Sequence, residues 1–129
     1  VIDEQIKNVK GDNQAALEAT HQIRQDAALM KEALLKGSMK GIAKILGRSW
    51  EAKKKMASGI TSSQIEDAYE VAMCNGAYSG KVSGAGGGGF IMFMTHPEQK
   101  MNVVRALNRL EGRVTNFHFT QNGAQAWIA

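Results

Sequence analysis

The apolar positions of this chain change period once, and the change divides it in two. Over its first 78 residues they recur at helical spacing. Ala16, Thr20, Ile23, Ala27, Met30 and Leu34 form one stripe of a long helix. Lys36 followed by Gly37 predicts its end, with a cation in the last turn and a permissive residue just beyond. A second helix carries Met39, Ile42, Leu46 and Trp50 inward, and Gly41 and Gly47, which lower its propensity, predict a neighbouring helix packed close against it. Gly59 separates it from a third helix, opened by Ser63-x-x-Glu66 as a capping box and burying Ile65, Tyr69, Ala72 and Met73.

Beyond Gly76 the pattern becomes that of strands. Lys81–Gly84 and Gly89–Thr95 read as an antiparallel pair. Ile91 and Phe93 face one way and Phe90, Met92 and Met94 the other, so the second strand is expected to be covered on both sides. Pro97 opens a further helix through Val103, Val104, Leu107 and Leu110, ended by Gly112. Arg113–Thr120 and Ala124–Ile128 predict two more strands around Asn122-Gly123, a strong hairpin signal. The predicted fold class is α+β: an antiparallel sheet with a glycine-rich hairpin loop, backed by helices.

That loop, Gly84-Ala85-Gly86-Gly87-Gly88-Gly89, holds more glycine than a turn requires. Each fixed glycine costs about 0.5–1 kcal/mol of backbone entropy relative to alanine. What the excess offers is bare backbone, whose N–H groups can converge on an anion or let a substrate approach the main chain. The alternative is a tight structural hairpin. The loop is not a Walker A sequence, because Lys81 precedes the glycines instead of following them. Gly84, Gly86 and Gly89 spell a dinucleotide fingerprint, but a strand follows where that motif needs a helix N-terminus.

Length and composition narrow the picture further. A chain of 129 residues predicts one domain, large enough to bury about two-thirds of its unfolded surface. No apolar run reaches membrane-span length and nothing resembles a signal peptide. The single cysteine, Cys74, sits among apolar neighbours and is expected to be a buried, inert thiol. Together these predict a reducing, cytoplasmic setting and no membrane. A net charge of +4 suits a phosphorylated substrate, whereas a nucleic-acid partner is not expected, because Trp50 is the sole aromatic among the basic residues.

Two charged clusters stand out. Lys36, Lys40, Lys44 and Arg48 are four apart and form one cationic stripe, either a solvated face or a binding surface for a phosphate. Trp50 with Lys53 and Lys54 is more specific. Trp50 continues the apolar stripe of its helix and so reads first as core, while a lysine one turn on can reach into a cleft beside it. His21, His96 and His118 lie on separate elements without ligand spacing, so no metal site is expected. His118, between Phe117 and Phe119 on a strand, reads as a surface residue.

Gly76-Ala77-Tyr78-Ser79-Gly80-Lys81-Val82-Ser83, continuing through the glycines to Phe90, resembles the third conserved motif of the GHMP kinases. The four glycines before Phe90, with Trp50-x-x-Lys53-Lys54 and the Ile60–Tyr69 stretch, are most similar to the branch that phosphorylates D-glycero-D-manno-heptose 7-phosphate. The resemblance implies a ferredoxin-like C-terminal domain over residues 1–129. It implies transfer of the ATP γ-phosphoryl group to the anomeric hydroxyl of a sugar phosphate. It makes Gly84, Ala85, Gly86, Gly87, Gly88 and Gly89 the substrate and phosphate loop, with Lys81 and Ser83 in support and Trp50, Lys53 and Lys54 at a substrate cleft. The family's serine-rich phosphate loop, which holds ATP and magnesium, has no counterpart here. An N-terminal nucleotide-binding domain is therefore expected to be missing, no catalytic residue is expected in this chain, and the isolated fragment should be inactive and free of cofactor. Its bared interdomain face is expected to support a homodimer. The competing expectations are a free-standing α+β regulatory module that binds a small ligand through the same loop, and a pure interaction domain.

Overall fold

The computed structural model describes residues 1–11, 13–84, 89–123 and 125–126. Five α-helices run over Ile2–Lys10 (α1), Gln14–Leu35 (α2), Met39–Lys54 (α3), Ser63–Cys74 (α4) and Lys100–Leu107 (α5). Strands β1 (Ala77–Ser83) and β2 (Phe90–Thr95) pair antiparallel, with Ser83 opposite Phe90 and Lys81 opposite Met92. Single 3₁₀ turns occupy Ser58–Ile60 and Pro97–Gln99. The fold is α+β, as the change of period predicts.

Local chemistry sets the boundaries. The Asn13 side chain accepts from the Ala16 N–H and starts α2, and Ser38 does the same for α3 through the Gly41 N–H. Gly37, at φ 64°, stops α2 in the left-handed conformation its sequence position predicts. The cap of α4 falls one residue earlier than the capping-box spacing suggests. Ser62 accepts from the Ile65 N–H, while Glu66 instead takes a 2.6 Å hydrogen bond from the Thr61 hydroxyl. Pro97 begins a 3₁₀ turn before α5, which ends at Leu107, short of Gly112.

Two small clusters form the core. Trp50, Ala57, Ile60 and Val82 are buried together, with Tyr69 and Ile91 packed against them. Ala72, Ala77 and Val103 make the second cluster, closed by Phe93 and Leu107. Ile91 and Phe93 thus share the inward face, as the alternation predicts. The opposite face is covered only in part, since Phe90 is 71% exposed. Gly80 holds the joint between α4 and the sheet. A Cβ there would stand 2.5 Å from Phe93 Cδ1, so its absence lets that ring lie across β1. The Tyr69 hydroxyl accepts from the Gly80 N–H at 3.2 Å, and the Tyr69 ring packs tilted on Phe93 at 5.8 Å. Gly47 serves a similar purpose against a strand, not a helix, because its nearest neighbour is Ser79 of β1.

Two expectations are corrected. Arg113–Thr120 is an exposed, irregular segment with no strand partner among the described residues. Alternation alone does not make a strand, whose N–H and C=O groups need a ladder to pair with. Phe117 and Phe119 instead meet edge to face at 5.7 Å. The companion strand, Ala124–Ile128, falls largely outside the described residues. Cys74 is exposed, not buried, because it ends α4 and lies well round the helix from the inward-facing Ala72.

Candidate functional site

A cleft of about 260 Å³ opens where α3 meets the β1 end of the hairpin. Trp50 and Lys53 come to it from successive turns of α3, Val82 and Gly84 from the end of β1, and Ile60 from the first 3₁₀ turn. The fourth wall is α1, through Val1, Ile2 and Gln5. Two of the three cleft residues inferred from sequence therefore meet the first residue of the glycine loop.

Trp50 is core, as its helix stripe predicts, and lies beside the cleft. It is fully buried at the centre of the larger core cluster, and it also borders the cleft. Its indole N–H has no hydrogen-bond partner. A buried donor left unpaired costs about 1–3 kcal/mol, which the packing around the ring has to offset. Lys53, half-buried, forms no ion pair and is the only lysine or arginine lining the cleft among the described residues.

Lys54 is placed otherwise. Its ammonium lies 2.9 Å from Glu51 and 3.5 Å from Glu66, and 5.9 Å from the centroid of the Trp50 ring. Burial disfavours its charge, but the hydrogen bond and charge of Glu51, with Glu66 behind, outweigh it and raise its pKa above the usual lysine value. Lys54 thus ties α3 to the start of α4 and does not line the cleft.

Strand alternation separates the remaining candidates. Val82 points into the core, so its neighbours Lys81 and Ser83 project from the other face of the hairpin, away from Trp50. Gly84 and Gly89 flank the loop at φ 126° and 136°, a region that favours glycine, and a Cβ on Gly89 would stand 2.5 Å from the Ser83 carbonyl oxygen. Backbone geometry alone thus accounts for these two glycines. Ala85, Gly86, Gly87 and Gly88 lie outside the described residues.

Two features were missed in the sequence. The α1 wall is held by polar clamps, with the Ser58 N–H and hydroxyl both donating to Glu4 at 3.1 and 2.9 Å and Asn8 donating to the Met56 carbonyl at 2.9 Å. The Ser58 hydrogen bonds hold the Glu4 carboxyl below its ordinary value. The other feature is Asp26, only 2% exposed on α2, whose Oδ1 accepts from Gln22 and from Arg48 of α3, the latter through both Nε and a terminal nitrogen. A legible signal existed: Asp26 interrupts the apolar stripe between Ile23 and Met30. Arg48 therefore leaves the cationic stripe to clamp two helices, while Lys40 and Lys44 remain exposed. Among the described residues no group of His, Cys, Asp and Glu side chains is arranged to hold a metal ion.

Comparison with known proteins shows the family of this chain. Residues 30–112 match the family model described as GHMP kinases C terminal. The chain is 44% identical over 126 residues to a D-glycero-alpha-D-manno-heptose 7-phosphate kinase of Campylobacter jejuni, covering 98% of this chain and 37% of that protein. A solved Campylobacter jejuni structure described as a sugar kinase superposes with a TM-score of 0.64 at 47% identity, covering 83% of this chain and 33% of its own. A D-glycero-D-manno-heptose 1-phosphate kinase of Bacteroides thetaiotaomicron gives a TM-score of 0.57 at 48% identity, over 77% of this chain and 28% of its own. The chain spans about a third of the length of these relatives.

Proposed function

From a chain that belongs to the GHMP kinases by its C-terminal domain, we propose the acceptor-side domain of an ATP-dependent sugar kinase acting on a phosphorylated heptose. In this reading the domain spans residues 1–129, and the complete enzyme phosphorylates the anomeric hydroxyl of D-glycero-D-manno-heptose 7-phosphate in the cytoplasm. The observation that carries the reading is the convergence of Trp50, Lys53 and Gly84 on one cleft.

Phosphoryl transfer asks a protein mainly for positioning and charge neutralisation. Lys53 supplies a point charge for the sugar's existing phosphate. Trp50 offers a rigid wall, and Gly84 brings the first bare backbone of the glycine loop to the same cleft. ATP and magnesium belong to the N-terminal domain of the complete enzyme, which supplies the activated phosphoryl group. This chain's share is to hold the acceptor.

Lys53→Gln in the complete enzyme is expected to raise KM for the heptose phosphate by about tenfold or more, the loss of one charge-assisted contact. KM for ATP should stay unchanged. Steady-state kinetics against both substrates decide it, and an effect confined to ATP sinks the reading. The chain by itself is expected neither to hydrolyse Mg-ATP nor to bind it. Calorimetry giving a micromolar dissociation constant, about −8 kcal/mol, contradicts this. Isolated chains are also expected to pair reversibly through apolar surface that the partner domain would cover, such as the exposed Ile2, Ile6 and Phe90. Sedimentation velocity over a wide concentration range tests that, and a strictly monomeric species rejects it.

A further inference from the structure

We propose a second anion-binding site, in the trough between the end of α4 and α5, for a small polyanion of the pyrophosphate or phosphate-ester class. The trough measures about 470 Å³ and shares no residue with the Trp50 cleft. That volume lies within the usual range of small-molecule sites. Arg105 and Arg109, one helical turn apart, line one side of it. Asn75, Gln99 and Asn102 supply neutral amides, and among the described residues no acidic one lines the trough.

Neither arginine side chain makes a hydrogen bond or an ion pair among the described residues, and Arg109 bonds only through its backbone N–H, to the Ala106 carbonyl. Two like charges at this spacing repel by a few tenths of a kcal/mol, with nothing in the trough to offset it. A guanidinium offers a planar fork of donors, and two such forks suit a ligand with several oxyanion oxygens better than a single carboxylate. The floor is fixed. Gly76, at φ 103°, leaves no room for a Cβ, which would stand 2.8 Å from Gln99 Cβ, and the Gln99 side chain in turn accepts from Asn102 at 2.8 Å. The two arginines line the same trough as this contact. Their position near the end of α5 also complements its dipole, an account that requires no ligand and that the test separates from this one.

Cys74 lines the trough, is exposed, and is the chain's single cysteine, so it reports on this place alone. The full chain is alkylated with neutral iodoacetamide in rising pyrophosphate, with sodium chloride holding ionic strength constant. Alkylation of Cys74 is expected to slow severalfold and saturably. Arg105→Gln/Arg109→Gln should abolish the protection while shifting the thermal midpoint by only about a few degrees, because both side chains are exposed and lose no more than a helix-end charge. Arg105→Lys, which keeps charge but loses the fork, should protect at about tenfold higher pyrophosphate. An alkylation rate indifferent to millimolar pyrophosphate overturns the proposal, as does equal protection in the double variant.

Discussion

Trp50→Ala is expected to cost about 3–5 kcal/mol, the range for emptying a large aromatic from a core. Trp50 is wholly buried and touches most of the larger core cluster, which joins α3, β1 and the Ser58–Ile60 turn. Collapse around the void is limited, because Ile60 and Val82 belong to elements held elsewhere. Urea denaturation of the chain measures the loss. Trp50→Phe separates packing from the polar role. It keeps most of the ring and deletes an N–H that already lacks a partner, so stability should change by less than about 1.5 kcal/mol. In the complete enzyme the same change should still raise KM for the sugar phosphate, because it reshapes the wall of the cleft. If Trp50→Phe leaves KM untouched, the indole is core alone and the cleft reading loses one of its two side chains.

A second large effect follows from the uneven burial of Arg48 and Asp26. The Arg48 side chain is 42% exposed, and that of Asp26 is 2% exposed. Removing the arginine strands a buried carboxylate whose Oδ2 has no partner even in the intact protein. Arg48→Met is therefore expected to cost about 3–5 kcal/mol, the range for breaking a buried pair from one side. Arg48→Met with Asp26→Leu removes both charges and should recover most of that loss, since an apolar replacement of a buried pair is often neutral. The double-mutant cycle by denaturant unfolding reads the coupling directly. A single-mutant cost below about 1 kcal/mol would place the pair among surface salt bridges and refute the clamp.

The sequence by itself determined the order of helices and strands through α5, the stop at Gly37 and the hairpin flanked by Gly84 and Gly89, which rest on local periodicity and backbone sterics. The inward face of α2, by contrast, is turned by a residue, with Asp26 and Ala33 buried and Ala27 and Leu34 exposed. The sequence also determined the family, because the run from Gly76 to Phe90 is contiguous. Tertiary structure alone decided which neighbours in the chain part company. Lys53 and Lys54 are adjacent, yet successive helical residues lie about 100° apart, so one lines the cleft while the other answers Glu51 and Glu66. Lys81 and Ser83 were separated from Trp50 by the two-residue period of β1, once Val82 had turned to the core. Asp26 with Arg48, and the α1 wall of the cleft, join residues far apart in the chain. No local pattern encodes such contacts, because they form only where folding brings separate elements face to face.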